Sequence, residues 1–276
     1  MKRAAVSVHP SAIVAAGAEL DRGVQVGPYA VIGPHVRIGK NTVIGPHAVI
    51  DGHTTLGCDN QVFQFASVGA IPQDKKYRGE ESTLVIGDHN VIREFATLNP
   101  GTAGGEMVTR VGNHNLFMVY SHVAHDCIVG NQVILANCAT LAGHVTLEDH
   151  VVVGGLVGVH QFTRIGESAL LAAGAMVSLD VPPYCAAMGD RARLYGLNVI
   201  GLKRRGFRVE QIAAIKKAYH TLFSEGLLLK DALARLRHEH RESPEVAHLI
   251  DFVATSQRGL CRPRANTLQE YEGGDE

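Results

Sequence analysis

The sequence predicts a mainly β fold: a parallel β-helix built from very short strands, followed by a small α-helical domain. Three observations carry that prediction. Aliphatic residues recur at every sixth position over most of the chain, small residues often stand two places before them with Gly commonly just after, and beyond residue 184 the apolar spacing changes to three or four.

The sixfold series runs without a slip through Val8, Val14, Leu20, Val26, Ile32, Ile38, Ile44, Ile50, Leu56, Val62 and Val68. It resumes at Ile86, Ile92 and Leu98, and after a shift of one residue continues from Val111 through Phe117 and Val123 to Val177. A period of six matches neither the helix period of 3.6 nor simple alternation. It suits a short strand plus a sharp bend, with the aliphatic side chain inward, a small residue such as Ala30, Ala48, Ala66 or Cys127 at the corner, and Gly or Asn wherever the backbone needs positive φ. Three strands then close a triangular turn, and turns stacked about 4.8 Å apart let each strand pair with the one below. A sandwich of short strands would space its turns less regularly, at roughly 8 to 12 residues.

Two excursions break the series. "GAIPQDKKYRGEEST" lies between Val68 and Ile86, and "NPGTAGGEMVTR" between Leu98 and Val111. Loops thrown out from a rigid solenoid are where function tends to gather. The coil is expected to end at "DVPPY", residues 180 to 184, because two prolines remove ladder donors. Beyond it, Ile212, Ile215, Tyr219 and Leu222, then Leu229, Leu233 and Leu236, then Val246, Leu249, Ile250 and Val253 keep a helical spacing, with Ser243 and Pro244 as an N-cap and first-turn pair. The expected division is a coil domain over 1–190 and a helical domain over 191–276. Residues 191 to 217 carry eight Lys or Arg against Glu210 alone, an excess suited to an acidic partner or a phosphate.

Composition narrows the class. With 276 residues, 46% hydrophobic content and a net charge of −1, the chain reads as soluble and globular, with no charge excess that would suggest nucleic acid. The longest nearly apolar run, "SALLAAGAMVSL", falls short of the roughly 20 residues that span a bilayer. "MKRAAVSV" is broken too soon by "HPS" to read as a signal peptide. Five scattered cysteines without a Cys-x-x-Cys pair suggest reduced thiols in a cytoplasmic protein.

Within the coil, "YSHVAHDCIVG" sets His122, His125 and Asp126 together. A histidine beside a carboxylate is suited to general-base work near neutrality, the carboxylate fixing the tautomer and stabilising the imidazolium. The repeat together with "NQVFQFASVG", "IPQDKKY", "HVAHDCIVGN", "ATLAGHVTLED", "VGVHQFTRIG", "DVPPY" and "GLNVIGLKRRGF" closely resembles the UDP-N-acetylglucosamine O-acyltransferases that begin lipid A synthesis, a branch of the hexapeptide-repeat acyltransferase superfamily. The resemblance covers nearly the whole chain. It implies a left-handed coil, a homotrimer with active sites between subunits, and transfer of a (3R)-3-hydroxyacyl chain from the phosphopantetheine of acyl carrier protein to the 3-hydroxyl of UDP-N-acetylglucosamine, with no metal or redox cofactor. Some relatives use a 3-amino sugar and form an amide instead.

By the same resemblance His125 is the base, Asp126 its partner and the Gly143 N–H an oxyanion donor. His122, His144 and His160 line the cleft. Asp74 and Lys76 face the sugar nucleotide, and Gln161, Asn198, Arg204 and Arg205 hold its nucleotide and phosphates. Ala173 stands where acyl length is set and suggests a medium chain. Pro100 replaces a usual Arg, and Ile200 a frequent acidic residue. Three other readings are weaker. A carbonic-anhydrase-like zinc site would leave the sugar-nucleotide motifs unexplained, a non-enzymatic scaffold would leave "HVAHD" without a use, and the sister N-acyltransferase of the pathway carries an additional N-terminal domain where this sequence begins directly in repeats.

Overall fold

Each regular repeat folds as a two-residue strand and a four-residue turn, and every third strand pairs in parallel with the last strand of its own face. The computed structural model describes residues 5–240 and 242–263. The signal-peptide reading of the first four residues and the end of the helical domain at 264–276 lie outside the described residues. Among the described residues three sheets of 11, 9 and 8 strands form the faces of a triangular prism. Partners on one face usually stand three repeats apart, one full turn of the coil, as in Ser7 with Gln25 and Ser67 with Val49.

The excursions change that interval in an instructive way. Gln61 pairs with Val91, two repeats beyond the regular interval, and Val91 with Leu116, one repeat and one residue beyond it. The first excursion therefore preserves the phase of the aliphatic series, and the second produces the observed shift. Its last residues, from Val108, return to the sheet as part of the strand Val108–Val111. Both excursions leave from the same corner of the prism, between the second and third faces.

The series residues fill the core: Ile32, Ile50, Leu98, Phe117 and Leu135 are wholly buried. Each such side chain contributes roughly 1.5–3 kcal/mol relative to exposure. The small residues two places earlier, Ala30, Ala48, Ala66 and Ala96, are also buried. In the same inward position of three successive coils stand Asn60, Asn90 and Asn115. Asn90 N donates to Asn60 Oδ1 at 2.8 Å and Asn115 N to Asn90 Oδ1 at 2.9 Å, a buried amide ladder parallel to the coil axis.

One expectation about the corners is corrected. Positive φ falls mainly on other residues, among them Tyr29, His47, Phe65, Phe95 and Tyr120 on one edge and Asn41, Asp59, His89 and His114 on another. The glycines after the aliphatic residues serve close approach instead: a Cβ on Gly39 would lie 2.6 Å from the Gly57 carbonyl oxygen of the next coil. The left-handed conformation costs roughly 1–2 kcal/mol per non-glycine residue. On the first edge it is offset by ring stacking, because the coil spacing brings Tyr29, His47, Phe65, Phe95 and Tyr120 into successive face-to-face contact at 5.0, 5.1, 5.2 and 4.8 Å.

The prolines do not end the pairing. Val181 bridges to Ile165, and after Pro182 and Pro183 the strand Cys185–Met188 pairs in parallel with Leu170–Leu171 before turning back on Arg193–Leu197. Both prolines sit in the turn, where the missing N–H removes nothing from the ladder. The hairpin straddles the division expected at 190/191. Among the described residues four helices follow: α1 (Val199–Arg204), α2 (Val209–Phe223), α3 (Leu229–Glu239) and α4 (Pro244–Ala254). The last three bury most of the residues their spacing indicated, with Ile212, Tyr219 and Leu229 half-buried, and Ser243 Oγ accepts from Val246 N at 3.4 Å as the cap of α4. α1 was not legible, being short and without apolar periodicity. Among the described residues no helix is long and apolar enough to cross a membrane.

Helix α4 is fastened to the coil by His248, whose Nε2 lies 2.7 Å from Glu148 Oε2, and by Phe252 under the Arg164 guanidinium at 4.3 Å. The hydrogen bond to Glu148 raises the His248 pKa above its ordinary value. A raised histidine stabilises fully below the unfolded value of about 6.5, and that contribution is lost as pH rises through the higher folded value. His248→Gln is therefore expected to lower Tm below about pH 6.5 by about 1–2 °C, solvent screening keeping the effect small, with the difference shrinking toward pH 8.5. Parallel thermal melts of both proteins across that range test it.

Candidate active site

The corner that ejects both excursions also carries, in the next three coils, the turns 124–127, 142–145 and 160–163. His125, Asp126, Gly143, His144, His160 and Gln161 therefore lie on one edge, one above another, with His122 on the strand leading into it.

His125 Nδ1 is 2.9 Å from Asp126 Oδ2, and their side chains are 15% and 3% exposed. A buried carboxylate beside Nδ1 holds the proton there and leaves the Nε2 lone pair open. The imidazole lies against Gly143 so closely that a Cβ there would be 2.5 Å from Cε1 and 2.7 Å from Nε2. Gly143 N–H has no acceptor among the described residues. The two stacked turns thus place an imidazole with an open Nε2, a carboxylate on its Nδ1 and a free N–H within one small space. Cys127, next in the chain, is not a rival nucleophile: burial pushes its thiol up to about 12.

His144 crosses His125 edge to face at 5.1 Å and stacks on Phe162 at 4.3 Å. Burial lowers its pKa most; Asp126 pulls it up, His125 lowers it, and Asp74 and Lys76 act in opposite senses from the first excursion. That excursion therefore brings Asp74 and Lys76 into electrostatic reach of the corner. Within it Lys76 N donates to Asp74 Oδ1 at 2.9 Å. His122 is lowered by burial and then by His125, and its Nδ1 is 2.7 Å from Thr97 Oγ1. Both flanking histidines are thus held toward the neutral form, suited to hydrogen bonding rather than to charge.

The remaining expected residues are spread over all three edges. His160 and Gln161 are exposed on the His125 edge, while exposed Ala173 belongs to the edge of stacked rings. Asn198 caps α1 by accepting from Gly201 N at 3.1 Å and donates to the Ser168 carbonyl at 3.0 Å, on the third edge. Arg205 pairs with Glu167 at 2.9 Å and donates to Ser168 Oγ, whereas Arg204 is exposed. Asn198 and Arg205 thus have structural partners within the chain. Pro100 is buried and Ile200 is exposed.

Sequence reasoning missed Thr97, Thr102, Thr109, Phe162 and Arg258. The threonines read as ordinary strand or loop residues, and only the folded coil with its second excursion places Thr97 beside His122 and Thr102 and Thr109 against Asp126. Arg258 reaches His160 Nδ1 at 2.7 Å while its Nε donates to the Ser178 carbonyl. A guanidinium only donates, so this Nδ1 accepts and the His160 proton sits on Nε2. The Gln161 carbonyl, farther from the same nitrogen at 3.2 Å, then receives no proton from it.

His125, Asp126 and His144 also bring one possible metal-ligating atom each within 4.8 Å of the others. The fit is poor. Asp126 Oδ2 already accepts from Thr102 Oγ1 at 2.6 Å and faces His125 Nδ1, so protons point to where a cation would bind.

Comparison with known proteins shows the family. A family model described as UDP-N-acetylglucosamine O-acyltransferase, domain 2, matches residues 180–261, and one described as bacterial transferase hexapeptide (six repeats) matches 17–52 and 109–143. Two curated relatives are named acyl-[acyl-carrier-protein]–UDP-N-acetylglucosamine O-acyltransferase. The protein of Janthinobacterium sp. is 54% identical and that of Myxococcus xanthus 56%, each alignment covering 92% of this chain and 99% of the relative. Among solved structures, the Francisella novicida UDP-N-acetylglucosamine acyltransferase has a TM-score of 0.91 at 38% identity, covering 98% of this chain and 99% of that one. The enzyme of the same name from Campylobacter jejuni has a TM-score of 0.89 at 42% identity, covering 94% and 100%.

Proposed function

The chain belongs to the acyl-[acyl-carrier-protein]–UDP-N-acetylglucosamine O-acyltransferase family, and from that membership we infer that it transfers a 3-hydroxyacyl chain from acyl carrier protein to UDP-N-acetylglucosamine, the first step of lipid A biosynthesis. The observation that carries the chemistry is the buried His125–Asp126 pair resting on Gly143.

The glucosamine 3-hydroxyl oxygen attacks the thioester carbonyl while His125 Nε2 takes its proton. Asp126 accepts from Nδ1–H and stabilises the imidazolium. The carbonyl oxygen gains negative charge facing the Gly143 N–H. As the tetrahedral intermediate collapses, a C–O ester bond remains, the C–S bond breaks, and the imidazolium returns its proton to the departing phosphopantetheine sulfur. No step draws on a metal or redox cofactor. Neutral His122 and His144 orient substrate hydroxyls and carbonyls, and His160 offers Nε2–H. Asp74, Lys76, Gln161 and Arg204 face the sugar nucleotide.

The working unit in this reading is a homotrimer. Its support is that His125, Ala173 and the Asn198–Arg205 segment occupy three different edges of one prism, so that edges of neighbouring subunits together complete a groove. The basic segment around Arg204 suits docking of an acidic acyl carrier protein. Five free cysteines fit a reducing cytoplasm.

The deciding experiment offers purified protein both UDP-N-acetylglucosamine and its 3-amino analogue with a ladder of 3-hydroxyacyl carrier-protein thioesters, read by mass spectrometry. Ester formation on the hydroxyl is the expected product, and exclusive amide formation would replace this acceptor assignment. The same ladder tests chain length. Ala173 is exposed, so a larger residue meets the groove rather than the core. Ala173→Gly is expected to move the preference to longer chains and Ala173→Met to shorter ones, at about 1–3 kcal/mol per misfitted methylene. An unchanged ranking of kcat/KM in folded variants would remove Ala173 from that role.

A further inference from the structure

Asp126 occupies a turn position that its neighbours leave more open. In the two following coils the same position holds His144, 16% exposed in its side chain, and Phe162, 52% exposed, whereas the Asp126 side chain is 3% exposed. What covers it is the second excursion. Thr102, itself buried, donates its N–H to both carboxylate oxygens at 3.1 Å and its hydroxyl to Oδ2 at 2.6 Å. Gly105 lies flat on the carboxylate: a Cβ there would be 2.4 Å from Asp126 Cγ.

The segment is closed on itself and tied at both ends. Gly105 N and Met107 N donate to the Thr102 carbonyl at 3.0 and 3.3 Å, and Gly101 N donates to the Thr83 carbonyl at 3.2 Å. Ala103 N donates to Glu80 Oε1 at 3.1 Å, linking the segment to the first excursion. From below, Thr109 Oγ1 accepts from Asp126 N at 2.8 Å. All polar groups of Thr102 are thus engaged, and both of its donors point at one carboxylate.

We propose that residues 101–107 form a strap over Asp126, and that Thr102 is a positioning residue of the acyl transfer, holding that carboxylate in line with His125. This deepens the reading above and rests on His125 as the base. A carboxylate receiving several hydrogen bonds has its charge spread over them and its oxygens fixed in place, so Oδ2 stays in line to accept from His125 Nδ1–H through the whole reaction. Removing the hydroxyl concentrates the charge on the remaining partner. His125 then becomes more basic and less well aligned.

The test is a set of variants assayed for kcat, KM and the pH profile of kcat/KM, with circular dichroism and oligomeric state as fold controls. Thr102→Val, nearly isosteric, is expected to lower kcat about tenfold with acceptor KM changed by less than about twofold, and to move the acid limb of the profile upward by about half a pH unit. Thr102→Ser, which keeps both donors, is expected to restore rate and profile. Thr102→Ala takes the place of valine if the latter does not fold. A wild-type rate and profile in the hydroxyl-free variant overturns the proposal, as does a slowed enzyme whose profile is unmoved, the mark of a merely structural strap. His125→Ala in the same set separates the two levels: if it is inactive while the Thr102 variants behave as wild type, only the strap fails. If it stays active, the base assignment fails and the strap's catalytic role with it.

Discussion

His125→Ala is expected to lower kcat by about 10²- to 10³-fold in a protein that still folds and keeps its oligomeric state. The size follows from what is lost. Without the imidazole, the attacking hydroxyl must lose its proton to solvent, and the departing sulfur has no acid to protonate it. His122 and His144 are poor substitutes, because burial lowers their pKa and neither stands against the carboxylate as His125 does. Folding should be little affected, since the ring lies on the outside of the turn while the core beneath it is filled by Val123 and Val129. Single-turnover transfer from a saturating acyl carrier protein thioester measures the chemical step directly. Turnover within a few fold of wild type would transfer the base role to another residue.

Gly143→Ala is expected to lower kcat by about 10²-fold with a much smaller effect on Tm. Gly143 has no positive φ, so alanine is compatible with its backbone, and the atoms nearest the added methyl all belong to the His125 ring. The ring must move by roughly an ångström to relieve contacts of 2.5 and 2.7 Å, and a displacement of that order costs about 10²-fold when a reacting group depends on alignment. The mechanism makes a sharper demand. On the His125→Ala background Gly143→Ala should cost little more, because the ring it displaces is already gone. Full additivity in that double-mutant cycle would show that Gly143 acts independently of His125.

How far the sequence could foretell this depends on how local each cause is. The coil was legible because the core leaves its mark every six residues, and the lengths of the two excursions, in excess of a turn, account for the phase of the series on either side. The three longer helices were legible through apolar spacing, and Ser243 through its cap chemistry. The corner residues were not. Tyr29 and Phe95 adopt positive φ at a turn position where Asn41, Leu156 and Ser168 do the same, and the ring one coil away that each stacks on lies at a distance along the chain set by loops whose paths the repeat does not reveal. The prolines misled for a similar reason, since their place in a turn is set by the coil above. At the site, His125 and Asp126 were visible as a pair because they are adjacent. Thr102 was invisible because 24 residues separate it from the carboxylate it holds. Resemblance gives Asn198 and Arg205 as ligand contacts, while the structure shows them also bracing α1 and the Ser168 turn.

The stacked registers bear on how the chain acquires its fold. Parallel sheets are ordinarily slow to form because their strands are distant in sequence, yet here each coil needs only the coil before it, so growth can proceed by addition at one end as in other solenoids. Among the described residues the first coil is stacked on one side, with Val8 42% and Ile13 63% exposed, while the helices pack at the opposite end. Lengthening a closure by two repeats, as the first excursion does, adds only about 0.5 kcal/mol of loop entropy. The two loops that leave from the His125 edge are therefore nearly neutral passengers during assembly. Their sequences can drift toward other acceptors or other carboxylate clamps without slowing the growth of the column that carries them.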